Sequence, residues 1–382
     1  MYSIADYGTM IADRTRVEAY AAALNRVARG AVVLDLGAGP GVFTVAACRA
    51  GARRVFCIEP DDAIQLAREA VRANGFEDRV AFFQDISTRV EIPERATVLV
   101  SDLRGVLPWF QEHIPAIADA RRRLLAPGAV LIPQRDTLWA APVESAEAHQ
   151  AHHAVWADNA LQLDLGVARR AAANVWRKKR MTSQNLLAPP GSVASLDYAT
   201  VEDPNTAGEV RIPAQRPGVM HGWSLWFDTE LAAGIGISNA PSAPELVYGH
   251  AFFPLQEPVE VQAGDAIAGK FRADLVGHDY VWTWETQICA AGGRPRGRFC
   301  QSTFYGAAVS PAHLQRRAAG HRPVLSEDGE IDRFILNLMG DGLNVGQIAA
   351  RVAAGFPQRF ATAREALVRV GDLSQAYSRL KR

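Results

Sequence analysis

Cysteine is scarce and scattered in these 382 residues: Cys48, Cys57, Cys289 and Cys300 form no C-x-x-C pair. Neither a structural zinc site nor a disulfide scaffold is implied, no metal is expected, and a reducing cytoplasm fits best. Net charge is absent too, because 41 Lys+Arg balance 41 Asp+Glu. That balance argues against nucleic acid or an anionic membrane as the main partner. No apolar run reaches the length of a membrane span. The opening MYSIADYGTM has neither the basic start nor the apolar core of an export signal, so a cytoplasmic location is expected. There is no internal repeat and no low-complexity tract. Hydrophobic residues make up 48% of the chain, enough for two or three parts each to bury a core at this length.

Between Ala31 and Pro133, β-branched runs alternate with helical stretches. AVVLDL (31–36), RVFCIE (54–59), RVAFF (79–83), ATVLVSD (96–102) and AVLIP (129–133) read as buried strands. VFTVAACRAG and AIQLAREAVRANG carry apolar residues at helical spacing and end in glycine. The spacing predicts βαβ units on a mostly parallel sheet. From about Val143 to Gly306 the pattern changes to an Ala- and Arg-rich helical stretch (152–187), then short alternating runs broken by Pro and Gly. In HDYVWTWETQI, Tyr280, Trp282 and Trp284 share one strand face, and several such runs predict a barrel or sandwich. Beyond Pro323 helices return. Ile331, Phe334, Ile335 and Leu338 form one apolar stripe, Val345, Ile348 and Val352 a second, and Thr362 with Glu365 has capping-box spacing. The expected domains are 1–143, 144–320 with a helical arm near 155–190, and 321–382.

The chemistry centres on Leu34-Asp35-Leu36-Gly37-Ala38-Gly39-Pro40-Gly41, which follows the first strand and opens a helix. Gly37 and Gly39 let the backbone turn and approach a ligand closely. Asp35 stands where a carboxylate can meet a ligand ammonium group. Glu59, at the end of the second strand, stands where an acid can accept bonds from ribose hydroxyls. A dinucleotide site prefers G-x-G-x-x-G, but its third glycine position is Val42 here. D-x-G-x-G-x-G with a later Glu resembles motif I and its acidic partner in class I methyltransferases, which implies a Rossmann-like α/β domain and S-adenosyl-L-methionine as cofactor.

The segment Met10-Ile11-Ala12-Asp13-Arg14-Thr15-Arg16-Val17-Glu18-Ala19-Tyr20 resembles the M-L-x-D-x-x-R-x-x-x-Y helix of protein arginine methyltransferases. The resemblance implies that Arg16 pairs with the cofactor carboxylate and that Met10 packs near the sulfonium. Ser101-Asp102-Leu103-Arg104-Gly105 is similar to the family's S-E-x-x-G loop, and His221 to Asp228 to an early barrel strand. The Ala/Arg-rich stretch falls where the family inserts a dimerisation arm, so a homodimer is implied. The likeness runs from Met1 to about Leu275, and the fold it implies is a methyltransferase domain followed by a β-barrel-like domain.

The departures concern the acceptor. The family grips a guanidinium between two glutamates. The first position here is Asp102, and the second falls on Gln111, with Glu112 beside it. The family's T-H-W motif falls on Leu246-Val247-Tyr248. Loss of a carboxylate removes a bidentate, charge-assisted contact that a planar guanidinium uses for orientation. Asp102, Glu112 and His113 are the catalytic candidates, since strand ends and the loops after them face the ligand in such sheets. Two acceptor classes stay open on a peptide, protein or small molecule: a guanidine nitrogen held by Asp102 and Glu112, or an imidazole, amine or hydroxyl with His113 as base. A non-catalytic peptide-binding module is the alternative from another class. The last sixty residues resemble winged-helix peptide-binding domains of the PqqD type, through Leu338 to Gly342 and Val345 to Ala349. Their eight basic and seven acidic residues are too balanced for strong phosphate binding.

Overall fold

The computed structural model describes residues 2–379, apart from the side chains at positions 152 and 157. It comprises two compact units, Met1–Ala307 and Ala308–Arg382.

The first unit opens with α1 (Ile4–Ala12) and α2 (Arg14–Val27), started by Ser3 in a capping box with Asp6 and by Asp13, whose side chain accepts from the Arg16 amide. The chain continues through β1 (Val32–Leu36), α3 (Val42–Arg49), β2 (Arg54–Ile58), α4 (Ile64–Ala73), β3 (Val80–Phe83), β4 (Ala96–Ser101), α5 (His113–Arg123) and β5 (Leu125–Ile132). The five strands make a parallel sheet in the order β3-β2-β1-β4-β5. Every residue of β1 is buried, which is why this strand reads as an unbroken apolar run interrupted only by Asp35. Strand order reverses between β1 and β4. Such a switch point opens a crevice at the carboxyl ends of the two strands, and the Gly37 turn and Asp102 both stand there.

The barrel follows directly: β6 (Arg135–Val143), α6 (Ala146–Ala157), α7 (Gly166–Ala172), β7 (Arg177–Lys179), β8 (Gly191–Asp197), β9 (Thr206–Pro213), β10 (Gly218–Ala232), β11 (Ile235–Ser238), β12 (His250–Val261), β13 (Ala266–Val276), β14 (Asp279–Cys289), β15 (Pro295–Ser302) and the short α8 (Thr303–Gly306). Two antiparallel sheets, β7-β12-β10-β6-β8 with β11 on β10, and β15-β14-β13-β9, are joined where β8 meets β9 and β12 meets β15. Gly208 permits the first junction, because a Cβ there would stand 1.9 Å from the Val193 carbonyl oxygen. Tyr280, Trp282 and Trp284 are buried on one face of β14, while Glu285 is exposed. The Ala/Arg-rich stretch departs from its expected all-helical form. It starts earlier, at Ala146, and Arg177–Lys179 pairs with β12 as a strand. One hydrophobic core runs from Leu34 and Leu99 of the parallel sheet into Leu138, Trp223 and Phe253 of the barrel, so both regions share a unit.

The second unit contains α9 (Pro311–Arg317), α10 (Glu327–Gly340), α11 (Val345–Gly355) and α12 (Ala363–Tyr377). Ile331, Ile335, Leu338, Ile348, Val352 and Val370 form its core. Asn344 and Thr362 cap α11 and α12, and Arg369 makes a two-pronged ion pair with Asp332. No strand lies among its described residues, so the unit is helical, as expected, and has no wing there.

Candidate active site

The turn after β1 takes the chain through positive φ at Gly37 (+74°) and Gly39 (+52°), a conformation that side chains with a Cβ rarely adopt. A Cβ on Gly37 would stand 2.2 Å from Leu103, and one on Gly39 would stand 2.9 Å from the Tyr7 ring. The loop after β4 and helix α1 therefore close over the turn from two sides. Glu59 fixes the turn from below. Its two carboxylate oxygens accept from the Gly39 and Asp61 amides at 2.8 and 2.9 Å. Burial raises its pKa, against those two bonds. Each oxygen keeps a lone pair for a further donor.

Asp35, at the end of β1, is 1% exposed and accepts from the Thr44 hydroxyl of α3 at 2.5 Å. No cation reaches it among the described residues. Burial pushes its carboxyl up to about 7 despite the Thr44 bond.

Arg16 lies along the other rim. Its guanidinium donates to Asp102 and, at 2.8 Å, to the Met10 carbonyl, and it packs 5.6 Å from the centre of the Phe43 ring. Its Nε–H is buried and has no acceptor among the described residues. Asp13, which caps α2, also accepts from the Val247 amide at 2.7 Å, tying the N-terminal helices to the loop that carries Tyr248.

Asp102 anchors a buried charge cluster that the sequence did not announce. Arg104, two residues on, sends Nε and Nη2 to Asp102 Oδ1 at 3.1 and 3.0 Å. Its Nη1 reaches Asp136 of β6 at 2.9 Å and Thr229 of β10 at 2.6 Å. Nη2 also donates to the Tyr20 and Tyr248 hydroxyls. Tyr248 in turn donates to Asp102, within 2.8 Å of both oxygens, and Tyr198 donates to Asp136 at 2.5 Å. The side chains of Arg104 and Asp136 are wholly buried. Burial alone would raise the Asp102 carboxyl, but Arg104 and Arg16 together hold it below its ordinary value.

Of the three catalytic candidates, only Asp102 joins this cluster. Glu112 is half-exposed and accepts from His278 Nδ1 at 2.9 Å, at the turn between β13 and β14. Gln111, at the second glutamate position, is exposed with φ +43°. His113 is a correction to the sequence reading. It begins α5 inside the core, 2% exposed, with Nδ1 donating to the Pro108 carbonyl and its ring 5.3 Å from that of Tyr198. Desolvation lowers its pKa to about 4, so the ring sits behind the cluster as a neutral packing group. The cofactor candidates do assemble on one crevice: Gly37, Gly39 and Glu59 at the turn, Asp35 beneath it, and Arg16 with Met10 along the rim. The sequence reading missed Arg104, Asp136, Tyr20, Tyr248 and Tyr7. One signal for Arg104 was present, a lone cation inside the apolar run Leu103 to Phe110.

Residues 134–280 match the family described as the arginine methyltransferase oligomerization subdomain, and residues 16–132 match the ribosomal protein L11 methyltransferase family. The chain is 28% identical over 243 residues to a probable protein arginine N-methyltransferase 6 of Arabidopsis thaliana, covering 61% of this chain and 55% of that protein. It is 29% identical over 276 residues to protein arginine N-methyltransferase 6 of Xenopus tropicalis, covering 68% and 81%. The chain spans 55–62% of the length of three plant relatives it matches. Its fold matches a chain of the Trypanosoma brucei PRMT1 enzyme-prozyme complex with AdoHcy at a TM-score of 0.71 and 21% identity, over 78% of this chain and 96% of that one. It also matches Arabidopsis thaliana protein arginine methyltransferase 10 at a TM-score of 0.70 and 21% identity, over 78% and 97%. In sequence and in fold, the chain is arginine methyltransferase-like: a Rossmann-type methyltransferase domain followed by that family's barrel.

Proposed function

We propose that this chain is an S-adenosyl-L-methionine-dependent methyltransferase, an N-methyltransferase of the arginine methyltransferase-like type that acts on a peptide, protein or small-molecule acceptor. The observation that carries the proposal is the Gly37–Gly41 turn, backed by a Glu59 carboxylate that the Gly39 and Asp61 amides hold in place. The residues present fit the cofactor. Glu59 has lone pairs free for two ribose hydroxyls, and the orphaned Arg16 Nε–H is a ready donor to an amino-acid carboxylate. Asp35 lies beneath the turn for an ammonium group, and Met10 lies beside Arg16 for the sulfonium. When bound, the cofactor supplies a methyl group already activated on sulfur. The chain's contribution is to align the acceptor and exclude water, and Tyr7 and Leu103 flank the turn for the second purpose. Calorimetry with S-adenosylhomocysteine is expected to give one site per chain. Glu59→Ala is expected to weaken it by ~1.5–3 kcal/mol, the range for a bond to a charged group. Absence of binding by the intact chain would overturn the reading.

The same proposal includes a homodimer, assembled through the arm of α6 and α7, and a cytoplasmic location, where the four free cysteines stay reduced. On the arm, Leu161 is 77% and Val167 75% exposed. A partner seated on the arm would cover both side chains. Light scattering is expected to report a dimer for the intact chain and a monomer for Leu161→Asp/Val167→Asp. A monomeric intact chain would contradict it.

A further inference from the structure

The carboxylate at the end of β4, Asp102, is the acidic group that two guanidinium groups of the chain itself, Arg16 and Arg104, already engage. Its bonding capacity is used up. A carboxylate has about four lone-pair sites. Asp102 Oδ1 already takes Arg104 Nε, Arg104 Nη2 and the Tyr248 hydroxyl, and Oδ2 takes Arg16 and the same hydroxyl. The charge is used up as well. Asp102 and Asp136 face Arg16 and Arg104, two against two, with side chains 0–9% exposed. A third guanidinium placed here would be buried without a counter-charge, which costs several kcal/mol even after relaxation. The other acidic groups of the crevice do not relieve this. Glu59 faces the turn, with its spare lone pairs on the ribose side in the cofactor reading, Asp35 lies under α3 on Thr44, and Glu112 is bonded to His278 on the surface.

We infer that Arg104 is a specificity-determining internal guanidinium: it fills the carboxylate that a cationic acceptor would need, so the crevice takes an acceptor that is neutral at its reacting end and rejects arginine. Arg104 is well suited to this task. A planar guanidinium spans Asp102 and Asp136 with separate edges, and Thr229, Tyr20 and Tyr248 absorb its remaining donors, so it has no reason to leave. The inference rests on the methyltransferase reading for the identity of the crevice, but its test is separable from it.

The test is a paired titration. An arginine-containing peptide and the same peptide with citrulline, its neutral isostere, are titrated by calorimetry into the intact chain, with and without S-adenosylhomocysteine. The expected result is affinities within about two-fold of each other, or no binding of either peptide. A preference of ten-fold or more for arginine, or methyl recovered on a guanidine nitrogen, would overturn the inference. Arg104→Met is titrated in the same way. Freed of the internal cation, it is expected to prefer the arginine peptide at least ten-fold, a readout that a purely structural role for Arg104 would not move. A folded, cofactor-binding Arg104→Met chain without that preference would also overturn the assignment. If that variant does not fold, the ratio measured on the intact chain decides. Failure of S-adenosylhomocysteine to bind the intact chain strikes the cofactor reading alone, because the peptide ratio is read in its absence too.

Discussion

Two aspartates end neighbouring strands of the same sheet, and their surroundings send them opposite ways. Asp102 follows β4 and is held ionised by Arg104 and Arg16, with Tyr248 donating to both oxygens. Asp35 ends β1, is buried still more deeply, and has one hydroxyl for company, so its carboxyl rises to about 7. Burial is common to both, and the difference lies in whether a cation came with it. The Asp102 side of the crevice is a finished electrostatic object with no vacancy. The Asp35 and Glu59 side keeps unused lone pairs and a carboxyl poised to change state. On the inference drawn above, a charged ligand group belongs on the β1 side and a neutral one on the β4 side.

The comparison breaks most visibly at Arg104. Arg104→Ala leaves Asp102 with Arg16 alone and the buried Asp136 with only the Tyr198 and Thr229 hydroxyls, and urea unfolding is expected to show a loss of ~3–5 kcal/mol. A loss under 1 kcal/mol would show that the cluster is not a coupled unit. Asp35 tests the other half through pH. Its folded pKa of about 7 lies above the ~3.9 of an unfolded chain, so between these values the folded protein binds the extra proton. Stability conferred by that proton is present at low pH and is lost as pH rises through the window. Asp35→Asn keeps an acceptor for Thr44 and is expected to gain up to ~4 kcal/mol on wild type between about pH 4 and pH 8. Identical pH slopes for the two proteins would refute the shift. Tyr248→Phe is the finest probe, removing one donor from Asp102 and one acceptor from Arg104 while leaving every charge in place. A loss of ~1.5–3 kcal/mol in the same unfolding experiment is expected, with the dependence on Arg104 confirmed by non-additivity in the double variant.

The parallel sheet was legible because strands buried on both faces must be written in β-branched runs, and β14 because its aromatic residues alternate. The Gly37 turn was legible because its residues are contiguous. The charge cluster was not, since its members come from α2, the loop after β4, β6, β10 and the loop before β12. Arg104 and Asp136 stand 32 positions apart, and Arg104 and Tyr248 stand 144 apart. Nothing local marks Glu112 as the partner of His278 rather than of Asp102, because that choice is made by where the β13–β14 turn falls. His113 misled for a related reason: a histidine at a helix start looks exposed until the helix is packed against Tyr198.

Helix α1 lies across the glycine turn with its Tyr7 ring on Gly39, yet none of its nine residues is buried. Few apolar contacts bind it to the body, so lifting it costs far less than unfolding the sheet beneath. Asp13 is at once the last cap of α1 and the first of α2, and its side chain stays fastened to the Val247 amide. The main polar tie of α1 is the Met10 carbonyl on Arg16. The amides of Ile4–Ala12 are therefore expected to exchange with solvent well before those of β1, and to slow once S-adenosylhomocysteine is bound.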